Sequence, residues 1–270
     1  GRRFFTMLGT LVQGRVSLDG AASWASALGL FIAITYGTQR RQFDGADGEE
    51  RVLLDYGKHQ RRLLPRLATT YAQIFAHDEF LQKFDGVFSG RTDTPEDRED
   101  LETLAAALKP LSTWHALDTL QEAREACGGS GFMFENRFVG LRADLDIYVT
   151  FEGDNNVLLQ LVGKRLLTDF AGQFKGKDAA AMAKYAVEQT AGKVFHGAGM
   201  RAFGQAFADL GSTARSVENG LREEQQHELL TDRVQQMVAD IAGRLRPAGR
   251  DKVLGEKLFN ENQAELIEAA

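Results

Sequence analysis

Apolar residues recur at intervals of three and four positions along most of this 270-residue chain, and this spacing limits the possible folds more than any other feature. From Val52 to His77, for example, the apolar positions follow the period of an α-helix. Alternating apolar and polar runs, which indicate strands, are nearly absent. The sequence therefore predicts an all-α fold: a helical bundle of long antiparallel helices followed by a second helical bundle.

Breaks in this periodicity divide the chain into two predicted domains. The first domain, residues 1–171, has a short extended piece at 147–150 (IYVT) and helices at 18–43, 52–77, 96–127 and 157–170. The Gly-containing segment 172–178 is the best candidate for a linker between them. The second domain, residues 177–270, has predicted helices at 179–195, 200–217, 221–245 and 252–269.

Charge and composition exclude several classes of protein. The chain has 32 Lys and Arg against 38 Asp and Glu, a net charge of −6, so it lacks the basic surface of a nucleic-acid binder. A single cysteine, Cys127, excludes an intramolecular disulfide. The five histidines show no metal-ligand spacing, so we predict no metal site.

The uncharged stretch from Gly20 to Gln39 is long enough to cross a bilayer. It contains several Gly, Ser and Thr residues and a Gln, and no other segment resembles it. We interpret it as a helix that is buried on most sides within a bundle, and we predict no membrane span.

Two phrases each allow two interpretations. The arginines of TQRRQF (38–43) either stabilise a helix C-terminus or recognise an anion such as phosphate. The glycines of ACGGSGF (126–132) either end a helix or let a ligand approach the backbone closely. The residues alone leave both questions open.

A third phrase, TFEGDNN (150–156), places Glu152 just before a predicted helix start. A lone glutamate there most often interacts with the helix dipole. Glu152, however, follows Phe151 and precedes Gly153, and a carboxylate at an apolar, sharply turning site suits a general base.

Together, these phrases resemble the C-terminal part of the acyl-CoA dehydrogenase and acyl-CoA oxidase superfamily, most closely its oxidase branch. The likeness covers about residues 1–170. It is carried by QGRVSLDGA (13–21), IAITYGTQRRQF (32–43), LKPLSTWHALDTLQEAREACGGSGF (108–132), ENRF (135–138) and LRADLDIYVTFEGDNNVLLQLVGKRLL (141–167).

The resemblance implies FAD-dependent α,β-dehydrogenation of a fatty acyl-CoA, with Glu152 as the catalytic base. It implies that FAD is bound by Arg40, Phe43, Gly128, Gly129, Gly131 and Asn156, and that acyl-CoA is bound by Arg15, Phe151 and Gly153. In this family the arginine and glycine phrases reach the flavin of the neighbouring subunit, so a homodimer through the helical bundle is also implied.

The leading hypothesis is the C-terminal part of a flavin-dependent acyl-CoA oxidase with O2 as electron acceptor. The alternatives are an acyl-CoA dehydrogenase that uses an electron-transfer flavoprotein, and a non-catalytic helical interaction module or fragment. Because the family's N-terminal half has no counterpart in this sequence, we expect the isolated chain to be an incomplete enzyme that binds FAD weakly or not at all. The last residues, IEAA, are not a peroxisomal signal, and we expect a cytoplasmic location.

Overall fold

The computed structural model describes residues 11–172, 223–249 and 251–270. These residues are almost entirely helical, which confirms the predicted all-α class. The α-helices are α1 (Leu11–Gln39), α2 (Gly57–Phe88), α3 (Pro95–Ala126), α4 (Phe138–Asp146), α5 (Asn155–Gly172), α6 (Glu223–Leu245), α7 (Lys252–Glu261) and α8 (Gln263–Ala269).

The chain forms two compact units, Gly1–Val162 and Gly163–Ala270, and the boundary falls within α5. Most of the predicted linker at 172–178 lies outside the described residues, as do the predicted helices at 179–195 and 200–217. The domain limits 1–171 and 177–270 stay a prediction.

Side-chain pairs show how the three long helices run. Asp19 near the start of α1 contacts His77 in the second half of α2, and Gly37 near the end of α1 faces His59 near the start of α2, so these two helices are antiparallel. Arg66 of α2 pairs with Asp118 of α3 at 2.7 Å, and Lys83 lies 3.5 Å from Asp100, so α2 and α3 are antiparallel too. Helices α1 and α3 therefore run the same way, and they share the most extensive packing of the bundle.

The core of this unit is built mainly from small residues of α1 and α3. Gly29 of α1 faces Leu120 of α3, and Phe138 of α4 packs into the same cluster. Among the described helices, α1 is long and apolar enough to cross a membrane, but more than half of its apolar window is buried. That burial supports the interpretation of α1 as a core helix.

The start of α3 follows from its sequence. The Thr94 hydroxyl accepts a hydrogen bond from the Asp97 N–H, and the Asp97 carboxylate accepts one from the Thr94 N–H. Pro95 occupies the first turn, where a backbone N–H would have no partner within the helix, so the missing N–H of proline costs no hydrogen bond. The helix continues through Pro110 to Ala126.

The first predicted helix end, at 43, was wrong. Helix α1 ends at Gln39, and Arg41–Asp44 is instead strand β1, which pairs antiparallel with β2 (Glu50–Val52). Phe43 has a φ of 65°, which is incompatible with a right-handed helix. The Tyr56 hydroxyl donates to the Gln42 carbonyl and supports the hairpin.

The extended piece predicted at 147–150 was also wrong. Ile147–Val149 forms a turn of 3₁₀-helix directly after α4. The N–H groups of Thr150 and Phe151 both donate to the Ile147 carbonyl, each at 3.1 Å. The β-branched residues there have no neighbouring strand to pair with, so local helical hydrogen bonds decide the conformation.

In the second unit, α6 packs against α8 around Val238, Ile241 and Leu266. The helix predicted at 252–269 is divided at Asn262 into α7 and α8. The Asn262 amide donates to the Leu258 carbonyl at 2.7 Å and accepts from Arg244 at 3.0 Å. These side-chain bonds compete with helix continuation and favour the break.

Candidate functional site

Glu152 lies in a sharp turn between the 3₁₀-helix Ile147–Val149 and α5. Its φ is 57° and that of Gly153 is 110°, so two consecutive residues have left-handed backbone. The Asp154 carboxylate then accepts from the N–H groups of Asn156 and Val157 and caps α5. A non-glycine residue at positive φ costs about 1–3 kcal/mol, and such strain concentrates at functional sites.

The Glu152 side chain is half-buried against α1. A Cβ built on Gly14 would come within 2.6 Å of the Glu152 Cδ, so the carboxyl group occupies space that only glycine leaves free. Its Oε2 atom is buried and has no hydrogen-bond partner in the part of the chain that the structure describes. The carboxyl group is therefore placed by the bundle rather than directed into open solvent.

Two cations hold the backbone of this turn. The Arg15 Nε donates to the Glu152 carbonyl at 2.9 Å, and the Lys109 Nζ donates to the Gly153 carbonyl at 2.7 Å. Burial lowers the pKa of the Arg15 guanidinium, while the charge of Glu152 opposes that shift. Helices α1 and α3 thus hold successive carbonyls from two directions.

Sequence reasoning missed Gly14, Lys109 and Asn155 as members of this site. A signal for Lys109 existed, because it occupies a core position in the helical spacing of α3, among the buried residues Leu101, Ala105, Ser112 and Ala116. Asp154 is the cap, and Asn155 is 1% exposed.

The glycines after α3 have different reasons to be glycine. Gly128 has a φ of 56°. A Cβ on Gly131 would lie 2.1 Å from the Arg124 carbonyl oxygen, so the fold itself excludes any side chain there. Gly129 is exposed, its φ is not positive, and a Cβ there would meet open space. The helix ending explains Gly128 and Gly131, whereas Gly129 is not required by the packing around it.

A cleft of about 600 Å³ lies beside this glycine turn. Arg124, Phe132 and Arg142 contribute to its walls, and the Arg124 guanidinium carbon lies 4.5 Å from the centre of the Phe132 ring. The cleft thus combines two guanidinium groups and an aromatic face with the carboxylate of Asp146. The guanidinium groups and the ring suit a ligand that carries both phosphates and rings.

Arg40 and Phe43 lie at the exposed hairpin, where Phe43 is 68% exposed. Among the described residues, no hydrogen bond or ion pair joins either of them to the Glu152 turn. Within one chain, the structure therefore brings together Arg15, Glu152 and Gly153. Of the predicted cofactor ligands, Arg40, Phe43, Gly128 and Gly129 are exposed, with no hydrogen bond or ion pair to this turn among the described residues, and Gly131 is buried.

The model of the acyl-CoA oxidase C-alpha1 domain matches residues 8–167, which is more than half of the chain. The chain belongs to the acyl-CoA oxidase family. This confirms the predicted family, and the matched segment contains Arg15, Arg40, Gly129 and Glu152.

Individual acyl-CoA oxidases show the same relationship. A putative peroxisomal acyl-coenzyme A oxidase 3.2 from Arabidopsis thaliana is 44% identical over 170 residues, which are 63% of this chain and 24% of that protein. The crystal structure of an acyl-CoA oxidase from tomato matches with a TM-score of 0.75 and 27% sequence identity. The match covers 96% of this chain and 37% of the tomato chain.

A third relative, acyl-CoA oxidase-1 of Caenorhabditis elegans complexed with FAD and ATP, has a TM-score of 0.72. Its identity is 20%, and the match covers 96% of this chain and 37% of that one. The fold is therefore that of acyl-CoA oxidase helical domains. The chain spans about a quarter of the length of the curated relative above.

Proposed function

We propose that this chain is the C-terminal helical part of a flavin-dependent acyl-CoA oxidase that forms an α,β double bond in a fatty acyl-CoA, with O2 as electron acceptor. Glu152 is the catalytic base. One observation carries the proposal: the Glu152 carboxyl group is held in a strained turn, with a buried oxygen that lacks a partner among the described residues. A strained turn that presents an unpaired carboxyl oxygen is typical of a proton acceptor, not of a surface glutamate.

The chain's own residues account for the proton transfer. The Glu152 carboxylate takes the proton from the carbon next to the thioester, and negative charge develops on the thioester oxygen. In the described part of the chain, the backbone N–H of Glu152 donates to no other residue, so it is free to stabilise that oxygen. Phe151, which is 40% exposed beside the base, offers an apolar surface to the acyl chain.

The residues also fit an FAD group. The open position at Gly129 admits close backbone approach, and the cleft with Arg124 and Phe132 suits the diphosphate and adenine of a dinucleotide. Arg40 and Phe43 at the hairpin, with Asn156 at the start of α5, would hold the remaining parts. The chemistry that FAD supplies when bound is acceptance of the β-hydrogen with its electron pair and delivery of the electrons to O2, which yields hydrogen peroxide.

The placement of these residues supports a homodimer. Arg40, Phe43 and Gly129 are exposed and form no hydrogen bond or ion pair with the Glu152 turn among the described residues. A second copy of the chain would bring its hairpin and glycine turn to the base of the first. Each active site would then need residues from two chains.

Substitution Glu152→Gln tests the proposal, in the protein as its gene encodes it. The amide keeps the shape but cannot accept the proton, so kcat should fall by about 10²–10⁴-fold while FAD is retained. Glu256→Gln, at an exposed glutamate of α7, is the control. Near-normal turnover of Glu152→Gln would refute the assignment.

The alternatives give different results in the same assay. One hydrogen peroxide per acyl-CoA oxidised under air supports an oxidase, whereas turnover only with an electron-transfer flavoprotein indicates a dehydrogenase. A colourless protein without turnover indicates a non-catalytic helical module. The cytoplasmic location stays a prediction, and imaging of the tagged protein tests it.

A further inference from the structure

Lys109 of α3 is 0% exposed and is one of the largest fully buried side chains among the described residues. Its Nζ donates to the Gly153 carbonyl at 2.7 Å and to the Asn155 Oδ1 at 2.9 Å. A buried amino group is costly unless its hydrogens are bonded, so these two acceptors determine where it lies. Both belong to the turn that carries Glu152.

The second acceptor is itself fixed to α3. Asn155 is 1% exposed, and its Nδ2 donates to the Thr113 Oγ1 at 3.0 Å. The Thr113 hydroxyl in turn donates to the Lys109 carbonyl at 2.8 Å. The three residues therefore form a closed ring of hydrogen bonds, and such a buried network favours one conformation.

Electrostatics are consistent with this arrangement. Burial, reinforced by the positive charge of Arg15, lowers the pKa of Lys109 to about 8, while the charges of Asp154 and Glu152 oppose that shift. At neutral pH the amino group therefore remains largely cationic and attracts the turn that carries the carboxyl group.

The turn needs such support, because the positive φ of Glu152 persists only where neighbouring groups impose it. Arg15 fixes the Glu152 carbonyl, and Lys109 fixes the next carbonyl and the first residue of α5. We propose that Lys109 is a positioning residue for Glu152, which holds the strained turn so that the carboxyl group is aimed at the substrate. This inference rests on the proposed role of Glu152 as base.

Lys109→Met tests the inference in the protein as its gene encodes it, because methionine has similar length but no donor. A base displaced by about 1 Å can lose roughly 100-fold in rate, so we expect kcat to fall by about that factor, with KM for acyl-CoA changed less than about threefold. Lys83→Met, at a partly exposed lysine of α2 paired with Asp100, is the matched control.

A double-mutant cycle separates positioning from a general structural effect. In the Glu152→Gln background, Lys109→Met should change the residual turnover by less than about twofold, because the group that it positions is already disabled. Equal losses in both backgrounds, or a change in KM alone, would overturn the inference.

Thr113→Val provides a second test where Lys109→Met does not fold. Loss of the two hydrogen bonds that the Thr113 hydroxyl makes in the ring should lower kcat by about two- to tenfold. Hydrogen exchange of residues 150–158 should also become faster than with Thr103→Val, whose hydroxyl donates only within α3. Unchanged kcat and exchange in Thr113→Val would contradict the inference.

The two proposals fail in different ways. If Glu152→Gln retains turnover, the proposed base is wrong whatever Lys109 does. If Glu152→Gln is inactive but Lys109→Met and Thr113→Val match their controls, the base stands and only the positioning role is lost.

Discussion

The carboxyl group of Glu152 lies against the backbone of Gly14, so closely that a Cβ at position 14 would come within 2.6 Å of the Glu152 Cδ. Gly14 lies within helix α1, where glycine is less favourable than alanine by about 1 kcal/mol. The helix therefore carries an unfavourable residue at the point where the proposed base is seated.

Gly14→Ala should separate stability from activity. The added methyl group improves helix propensity, and the clash falls on the end of a flexible side chain, so the free energy of unfolding should not fall. The displaced carboxyl group should lower kcat by at least about tenfold. Denaturant unfolding and steady-state kinetics measure the two effects.

The control is Gly243→Ala, at an exposed glycine of α6 where a Cβ meets open space. It should gain a similar free energy of unfolding and keep full activity. Full activity of Gly14→Ala itself would show that the carboxyl group is not seated as described.

The glycine turn after α3 offers a matched pair of substitutions. Gly131→Ala should destabilise the protein by about 1–3 kcal/mol, because the new Cβ would lie 2.1 Å from the Arg124 carbonyl oxygen and backbone cannot easily move. Gly129→Ala should change the free energy of unfolding by less than about 0.5 kcal/mol, because its Cβ meets open space.

For FAD binding, the order of the two effects should be the reverse of that for stability. Gly129→Ala should lose FAD more readily on dialysis if the cofactor approaches this backbone. Flavin absorbance before and after dialysis, with denaturant unfolding of the same samples, checks both statements. A Gly131→Ala protein as stable as the wild type would contradict the steric argument.

Helices α2 and α3 could be predicted because their apolar residues recur at helical spacing, and α1 because it contains a long uncharged stretch. The strand at Arg41–Asp44 could not be predicted, because all four residues are exposed and show no alternation of apolar and polar residues. The positive φ of Phe43 lies where the register of the hairpin is irregular, and that of Glu152 lies in a turn whose carbonyls are held by Arg15 and Lys109, which are distant in the sequence.

The site was predictable only in part. Motif likeness identified Glu152 and Arg15, and the structure joins them through a 2.9 Å hydrogen bond. The contact of Gly14 with the carboxyl group depends on residues 138 positions apart, which no local pattern records. Lys109 was missed although it occupies a core position in the helical spacing of α3, and its acceptors become visible only in the folded chain.

We expect His115 to lower the free energy of unfolding of the protein as the pH decreases. Burial lowers the pKa of His115. The charge of Asp118 opposes this shift, and the charge of Arg66 reinforces it. The His115 Nε2 lies 2.8 Å from the Thr70 hydroxyl oxygen. The unfolded chain takes up this proton near pH 6.5, whereas the folded chain does so only at lower pH. The unfolded state therefore binds more protons below about pH 6.5, and the free energy of unfolding decreases as the pH falls.

Unfolding at about pH 7.5 and about pH 5.5 measures this dependence. His115→Gln should reduce the loss of stability on acidification. His227→Gln, at an exposed histidine of α6, should leave it unchanged. Equal pH dependence in the wild type and His115→Gln would refute this role. The pKa of His59 is lowered by burial and by Arg62, so part of the dependence should remain.

The shared active site predicts rescue between two inactive chains. Glu152→Gln removes the proposed base, and Arg40→Glu disables the exposed hairpin proposed to serve the neighbouring subunit. In a mixed dimer, one of the two sites then combines an intact Glu152 with an intact Arg40. Random association makes half of the dimers mixed, so coexpression should restore about a quarter of wild-type activity.

Each variant expressed alone should stay inactive, and a chain that carries both substitutions should rescue nothing when coexpressed with either single variant. Acyl-CoA turnover per dimer, measured after affinity tags on the two chains have been used to isolate mixed dimers, should reach about half of the wild-type value. Absence of rescue from isolated mixed dimers would show that Glu152 and Arg40 serve the same chain's site, and the argument for a homodimer would fail.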